Sequence, residues 1–140
     1  MHYYIAKSFT GLNDYTDSNR TSKYSGSSVK KRETNDVARM LMCKPKVKEY
    51  PIKVMFTWLI NNRGKDLDNV SFAKKYILDG MCKAGIIKND NLTKIIAFED
   101  KVIMVKDKSQ QGVLVSITEG YKEVIDDGIN KILEEKRGHR

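Results

Sequence analysis

The chain has 140 residues, with 26 Lys and Arg against 18 Asp and Glu, a formal net charge of +8. That length suits one domain with a sizeable core, and the basic balance favours a polyanionic partner, nucleic acid before an acidic membrane surface. No run of ~18 apolar residues is present to span a bilayer, and Met1 to Phe9 carries no apolar stretch of the secretory kind, so the expected location is the cytoplasm.

His2 to Ala6 is short and aromatic and fits a strand, which Gly11-Leu12-Asn13 breaks. Asn13 to Met42 is polar. Two helices are expected there, divided at Ser25-Gly26-Ser27-Ser28. In the second, Val29, Ala38, Leu41 and Met42 give a thin apolar face, while Lys30, Lys31, Arg32 and Arg39 lie in solvent. Lys44-Pro45-Lys46 ends that helix, because proline cannot continue it. Pro51 to Ile60 is rich in Val, Phe, Thr, Trp and Ile and reads as a central strand. Asn61 to Lys65 is a turn. A helix capped by Asp68 or Asn69 then runs to Ala84, with Gly85 just past its end. Ala73, Ile77, Gly80 and Ala84 form its buried stripe, beside Tyr76 and Met81; Asp68, Phe72, Lys75 and Asp79 lie along another side. Leu92 to Phe98 and Lys101 to Val105 read as a pair of strands, Lys106 to Gly112 as a charged loop, and Val113 to Thr118 as a further strand. After Tyr121, Ile125, Ile129, Ile132 and Leu133 mark an amphipathic helix, so residues 120–140 form a helical tail. The expected fold is a single domain of α/β (α+β) class, a small mixed β-sheet packed by helices. Cys43 and Cys82 read as small buried hydrophobes, not as a disulfide or zinc site. His2 and His139, near the termini, offer no acid–base pair.

The chemistry concentrates in Lys65-Asp66-Leu67-Asp68-Asn69-Val70, which sets two carboxylates two residues apart where the apolar run ends. If Asp66 and Asp68 are extended, both point to one side. Like charges so placed repel unless a cation joins them, and hard divalent ions such as Mg²⁺ take carboxylate oxygens. A calcium-binding EF-hand loop also opens with Asp-x-Asp, but its later ligand and glycine positions fall here on Val70, Ser71 and Ile77, which rejects it. Two readings stay open. One is a solvated turn with Asp68 as a helix cap. The other is a metal site completed by a further acid, Asp90 or Asp79. Asp79 lies one turn after Lys75, where an ordinary surface ion pair also accounts for it. Lys75 is placed to face a phosphate, or Lys74 if the helix phase shifts by one residue.

These residues resemble the RusA-type Holliday-junction resolvases of phages and prophages. The resemblance rests on Lys65-Asp66-Leu67-Asp68-Asn69, on Lys74-Lys75-Tyr76-Ile77-Leu78-Asp79-Gly80-Met81 and on Ala84-Gly85-Ile86-Ile87-Lys88-Asn89-Asp90. Gly11-Leu12-Asn13-Asp14-Tyr15, Asn19-Arg20 and Lys30-Lys31 look like the amino-terminal part of its Gram-positive branch, so the similarity runs from residue 3 to residue 118. It implies a RusA-like fold, a homodimer, and Mg²⁺- or Mn²⁺-dependent hydrolysis of four-way DNA junctions in recombination and repair. It implies Asp66, Asp68 and Asp90 as metal ligands and Lys75 as the catalytic lysine, with Arg20, Lys30, Lys31 and Lys74 on the DNA. Two departures stand out. The step from Asn69 to the lysine is longer than in the shorter form of the motif, so Lys74 and Lys75 both remain open. The usual paired acids after the helix are Asn89-Asp90 here. Apolar surface for a dimer is available on the central strand, with Phe56 and Trp58, or on the tail helix. A reading of another class competes: a non-catalytic small basic DNA-binding protein whose aspartates are caps and surface charge.

Overall fold

The computed structural model describes residues 1–9, 16, 20, 23–123 and 125–138. Gly11-Leu12-Asn13-Asp14-Tyr15, Asn19 and His139, singled out above, lie outside the described residues. Four strands, β1 (His2–Ile5), β2 (Ile52–Ile60), β3 (Ile95–Met104) and β4 (Gly112–Thr118), form one sheet in the order β1-β4-β2-β3. β4 runs antiparallel to both β1 and β2, whereas β2 and β3 are parallel. A parallel pair needs a crossover. Here the crossover is α2 (Leu67–Ser71) followed by α3 (Lys74–Lys83). α1 (Lys23–Met40) precedes β2 and α4 (Asp127–Arg137) ends the chain. The result is the mixed sheet with helices that the residue pattern implies, and β2 is central in it.

Alternation along the strands decides which face is covered. Val54, Phe56 and Trp58 of β2 stand beside Ile117, Val115 and Val113 of β4, and Tyr3 and Ile5 of β1 continue the row. All are buried in one cluster with Val37 and Leu41 of α1 and Tyr76, Ile77 and Met81 of α3. Phe56 and Trp58 stack with ring centroids 5.4 Å apart. Both belong to the core, which removes them as a dimer surface. On the opposite face Tyr4 is exposed and Lys53, Met55 and Leu59 are half-buried.

Several elements differ from expectation. α1 runs unbroken through Ser25 to Ser28. Gly26 and Val29 are buried there, and packing outweighs poor local propensity. Met42 is exposed rather than part of the apolar face, and Cys43 is exposed in the turn after α1 with φ of 65°. The single helix expected up to Ala84 is two helices, with Phe72 and Ala73 between them. α2 buries no residue, whereas α3 buries Tyr76, Ile77, Leu78, Gly80 and Met81, so the chain bends to seat α3 on the sheet. The expected pair of strands around residue 100 is one strand, β3.

Two glycines set the position of α3. At Gly80 a Cβ would stand 2.5 Å from Val37 Cβ and 3.0 Å from the Thr34 carbonyl, so only glycine lets α1 approach this closely. Gly85, at φ of 77°, ends the helix. Its N–H bonds Cys82 O at 3.1 Å and the N–H of Ile86 bonds Met81 O at 2.9 Å, the Schellman arrangement with buried Ile86 against buried Met81. Ile129, Ile132 and Leu133 on α4, and Ile125 just before it, are 43–55% exposed. No described helix is long and apolar enough to cross a membrane.

Candidate nuclease site

The site is built where β2 gives way to the crossover. Asn61 ties that end down: its Nδ2 donates to Val105 O at 3.3 Å and Lys106 O at 3.0 Å, beyond the end of β3. Asn62 Oδ1 accepts the Gly64 N–H at 2.8 Å and tightens the turn. Asp66 is the N-cap residue of α2, in place of Asp68 or Asn69, with extended backbone and no capping bond from its side chain. Asp68, in the first turn, accepts the Asn69 N–H at 2.9 Å. Both carboxylates are exposed. α2 therefore begins with two acids where its dipole favours negative charge.

Lys75 opens the next part of the site. Its Nζ lies 3.1 Å from Asp79 Oδ1, one turn on, and 3.4 Å from Asp90 Oδ2, beyond the helix. The buried side chains of Ile86 and Ile87 anchor the segment that brings Asp90 back. The hydrogen bond that Lys75 donates to Asp79, with the charges of Asp79 and Asp90, raises the Lys75 pKa above its usual value against the pull of burial. Lys75 is thus firmly cationic. Nearby, burial and then the same two carboxylates raise the Cys82 thiol, which keeps it protonated.

Lys74 takes a different direction. Its Nζ donates to Asp100 Oδ2 at 2.7 Å and lies 4.7 Å from the ring centroid of Phe98 and 5.4 Å from that of Phe56. Asp100 Oδ1 accepts from Trp58 Nε1 at 2.9 Å. Neighbouring helical positions diverge by about a quarter turn, so one lysine enters the core edge and the other faces the acids. Asp100 was not foreseen. The signal for it was a carboxylate at the helix-facing parity of an otherwise apolar run.

Lys30 and Lys31 are exposed on α1 and line a groove between α1 and α3 with Thr34, Asn35, Asp79 and Lys83. Lys83 Nζ donates to Asn35 Oδ1. Because Asp79 also holds Lys75, this basic groove runs into the Lys75–Asp90 contact. Arg20 is exposed and helical. The carboxylates suit a hard divalent cation in donor type. Among the described residues, however, no three His, Cys, Asp or Glu side chains are gathered closely enough to grip one, and Asp66, Asp68 and Asp90 do not close on a common point.

No family model matches the chain. It is similar to the crossover junction endodeoxyribonuclease RusA of Aquifex aeolicus (strain VF5), with 40% identity over 70 residues. That stretch is 49% of this chain and 50% of the relative, so the chain spans half the length of the curated relative it matches. The similarity supports kinship with the RusA family of crossover junction endonucleases through a shared half rather than along the whole chain.

Proposed function

We propose that this protein is a RusA-type endonuclease that resolves four-way DNA junctions by paired phosphodiester hydrolysis, acting as a homodimer with Mg²⁺ or Mn²⁺. The similarity to RusA carries the reading. The geometry supports it by bringing Lys75 to Asp90 and by setting Asp66 and Asp68 on an exposed turn after the central strand. Asp66, Asp68 and Asp90 would hold the ion, which would supply a Lewis acid for the phosphate and a more acidic water. The chain's own residues do the rest. Lys30, Lys31 and Lys83 neutralise backbone phosphates along the groove, giving affinity that falls steeply with salt. Recognition is mainly of junction shape, because phosphate contacts carry no base information. Lys75, oriented by Asp79 and Asp90, donates to a non-bridging oxygen of the scissile phosphate as charge builds there.

The test is cleavage of a labelled four-way junction and of linear duplex in Mg²⁺, in Mn²⁺ and in chelator. Symmetric paired nicks in the junction, with either metal and not in chelator, are expected. The ungathered carboxylates favour a second reading, a basic DNA-binding module without catalysis. Binding that is equal in metal and chelator, with no cut product, would select that module instead.

A further inference from the structure

The turn between α3 and β3 carries charge that the site described above does not use. Lys88 is exposed and Lys94 half-buried, on either side of Asp90 in the chain. Both reach one aromatic ring. Lys88 Nζ lies 5.8 Å and Lys94 Nζ 4.9 Å from the ring centroid of Tyr50. Among the described residues neither ammonium has a carboxylate within ion-pair distance, and Asp90 is already engaged by Lys75. We propose that Lys88 and Lys94, held on the ring of Tyr50, form a second phosphate-binding site, which takes the DNA backbone on the opposite side of the Lys75–Asp90 contact from the Lys30–Lys31–Lys83 groove. DNA as the partner and the cut beside Lys75 come from the proposed function, whereas the site itself is read in binding, without cleavage.

The turn is built to hold the two ammonium groups together. Tyr50 is half-buried against the core, and its hydroxyl accepts the Lys88 N–H at 3.1 Å. Ile52 donates its N–H to Lys94 O at 2.7 Å, which ties the other end to the start of β2. Between them Asn89 Oδ1 accepts the Asn91 N–H at 3.2 Å, and Asn91 Oδ1 accepts the Thr93 N–H at 3.0 Å and the Thr93 hydroxyl at 2.6 Å. An aromatic ring attracts a cation. Two cations on one ring, with no acid between them, leave positive charge for an anion to neutralise. Lysine meets a phosphate as a point charge. The ring already holds both lysines, so it orients them rather than stacking on a base.

Position favours a long polyanion over a free phosphate. Lys75 Nζ lies between Asp79, which lines the groove, and Asp90, two residues from Lys88. Positive charge therefore continues on both sides of the proposed catalytic lysine. A single phosphate cannot reach both sides, whereas a DNA strand presents a charge at every step. Lys46 extends the charge at the end of α3, with its Nζ 3.9 Å from where a Cβ at Gly85 would stand. Its segment is fixed there by the Val47 N–H, which bonds Ile86 O at 2.9 Å.

Binding of the full chain to a labelled four-way junction in chelator, followed by anisotropy across a salt series, tests the site. Lys88→Gln/Lys94→Gln should weaken binding at least about tenfold and reduce the slope of log affinity against log salt by about 1.8, the value for two phosphates of B-DNA. Lys131→Gln/Lys136→Gln on α4 removes the same charge elsewhere and should leave the slope near that of the parent. If the change at half-buried Lys94 unsettles β3, Lys88→Gln alone decides, with a fall of about 0.9. Single phosphates replaced by neutral methylphosphonates then map the contact. The positions that cease to matter in Lys88→Gln/Lys94→Gln should differ from those that cease to matter in Lys30→Gln/Lys31→Gln, and the cut should fall between the two sets. An unchanged slope, an equal fall in the α4 control, or the same phosphates in both sets would overturn the proposal. A chain that cuts no junction but shows two separate sets would support the site and count only against the nuclease reading.

Discussion

Asp100→Ala should be among the most damaging single changes in the chain, although Asp100 is neither apolar nor fully buried. Its Oδ1 is the acceptor for Trp58 Nε1, and Trp58 is 1% exposed. A buried donor left without a partner costs about 1–3 kcal/mol. The variant also strands the Lys74 ammonium between Phe56 and Phe98. Lys74 and Asp100 each keep 20% of their side chains exposed, so water can replace part of the lost pairing. That loss is therefore about 1 kcal/mol, well below the roughly 3–5 kcal/mol of a fully buried pair. Together the two effects amount to about 2–4 kcal/mol. At roughly 3–5 °C per kcal/mol for a chain of this size, Tm should fall by about 6–20 °C. Asp100→Asn retains an oxygen for Trp58 and gives up only the ion pair, so it should lose about a third as much. Trp58 is the only tryptophan, so fluorescence during thermal unfolding reports the site directly. Equal melting of the Ala and Asn variants would refute the role given to the indole hydrogen bond. Both melting with the parent would refute the network altogether.

Three other outcomes are expected. Asp68→Asn should lower junction cleavage by at least about a hundredfold, because it removes a proposed ion ligand. Gel-shift affinity should hold or tighten as one negative charge leaves, and near-normal cutting would take Asp68 out of the site. Neutralising Lys30 and Lys31 together should weaken junction binding and reduce the slope of log affinity against log salt by about 1–2; an unchanged slope would mean they face away from DNA. Gly80→Ala should destabilise the fold by up to about 2 kcal/mol, since overpacking against Val37 costs about 1–3 kcal/mol and helix propensity offsets roughly 1 kcal/mol of it. A raised Tm would show that α1 and α3 separate without cost.

What the residues disclose by themselves follows the range of the interactions concerned. The alternation of Val54, Phe56 and Trp58, and the stripe of Ala73, Ile77 and Gly80, are local patterns, and both were readable. So was Gly85 as the helix stop, because the left-handed backbone there selects glycine within one turn. The break read between Phe98 and Lys101 was not a break. Two acids in an apolar run look like a turn until Asp100 is seen to be satisfied by Lys74, 26 residues earlier, and by Trp58, 42 residues earlier. The same long-range contact separates the two neighbouring lysines. Helical phase alone leaves Lys74 and Lys75 equivalent within a residue of error. Once Asp100 draws Lys74 into the core edge, the rotation of α3 is set, and Lys75 must project toward Asp79 and Asp90. The direction of the proposed catalytic lysine thus depends on Asp100, a carboxylate in β3 held by Lys74 and Trp58. Loosening Lys74 should therefore blur the aim of Lys75 as well as lower stability, so Asp100→Asn should lose cleavage at temperatures where it is still fully folded.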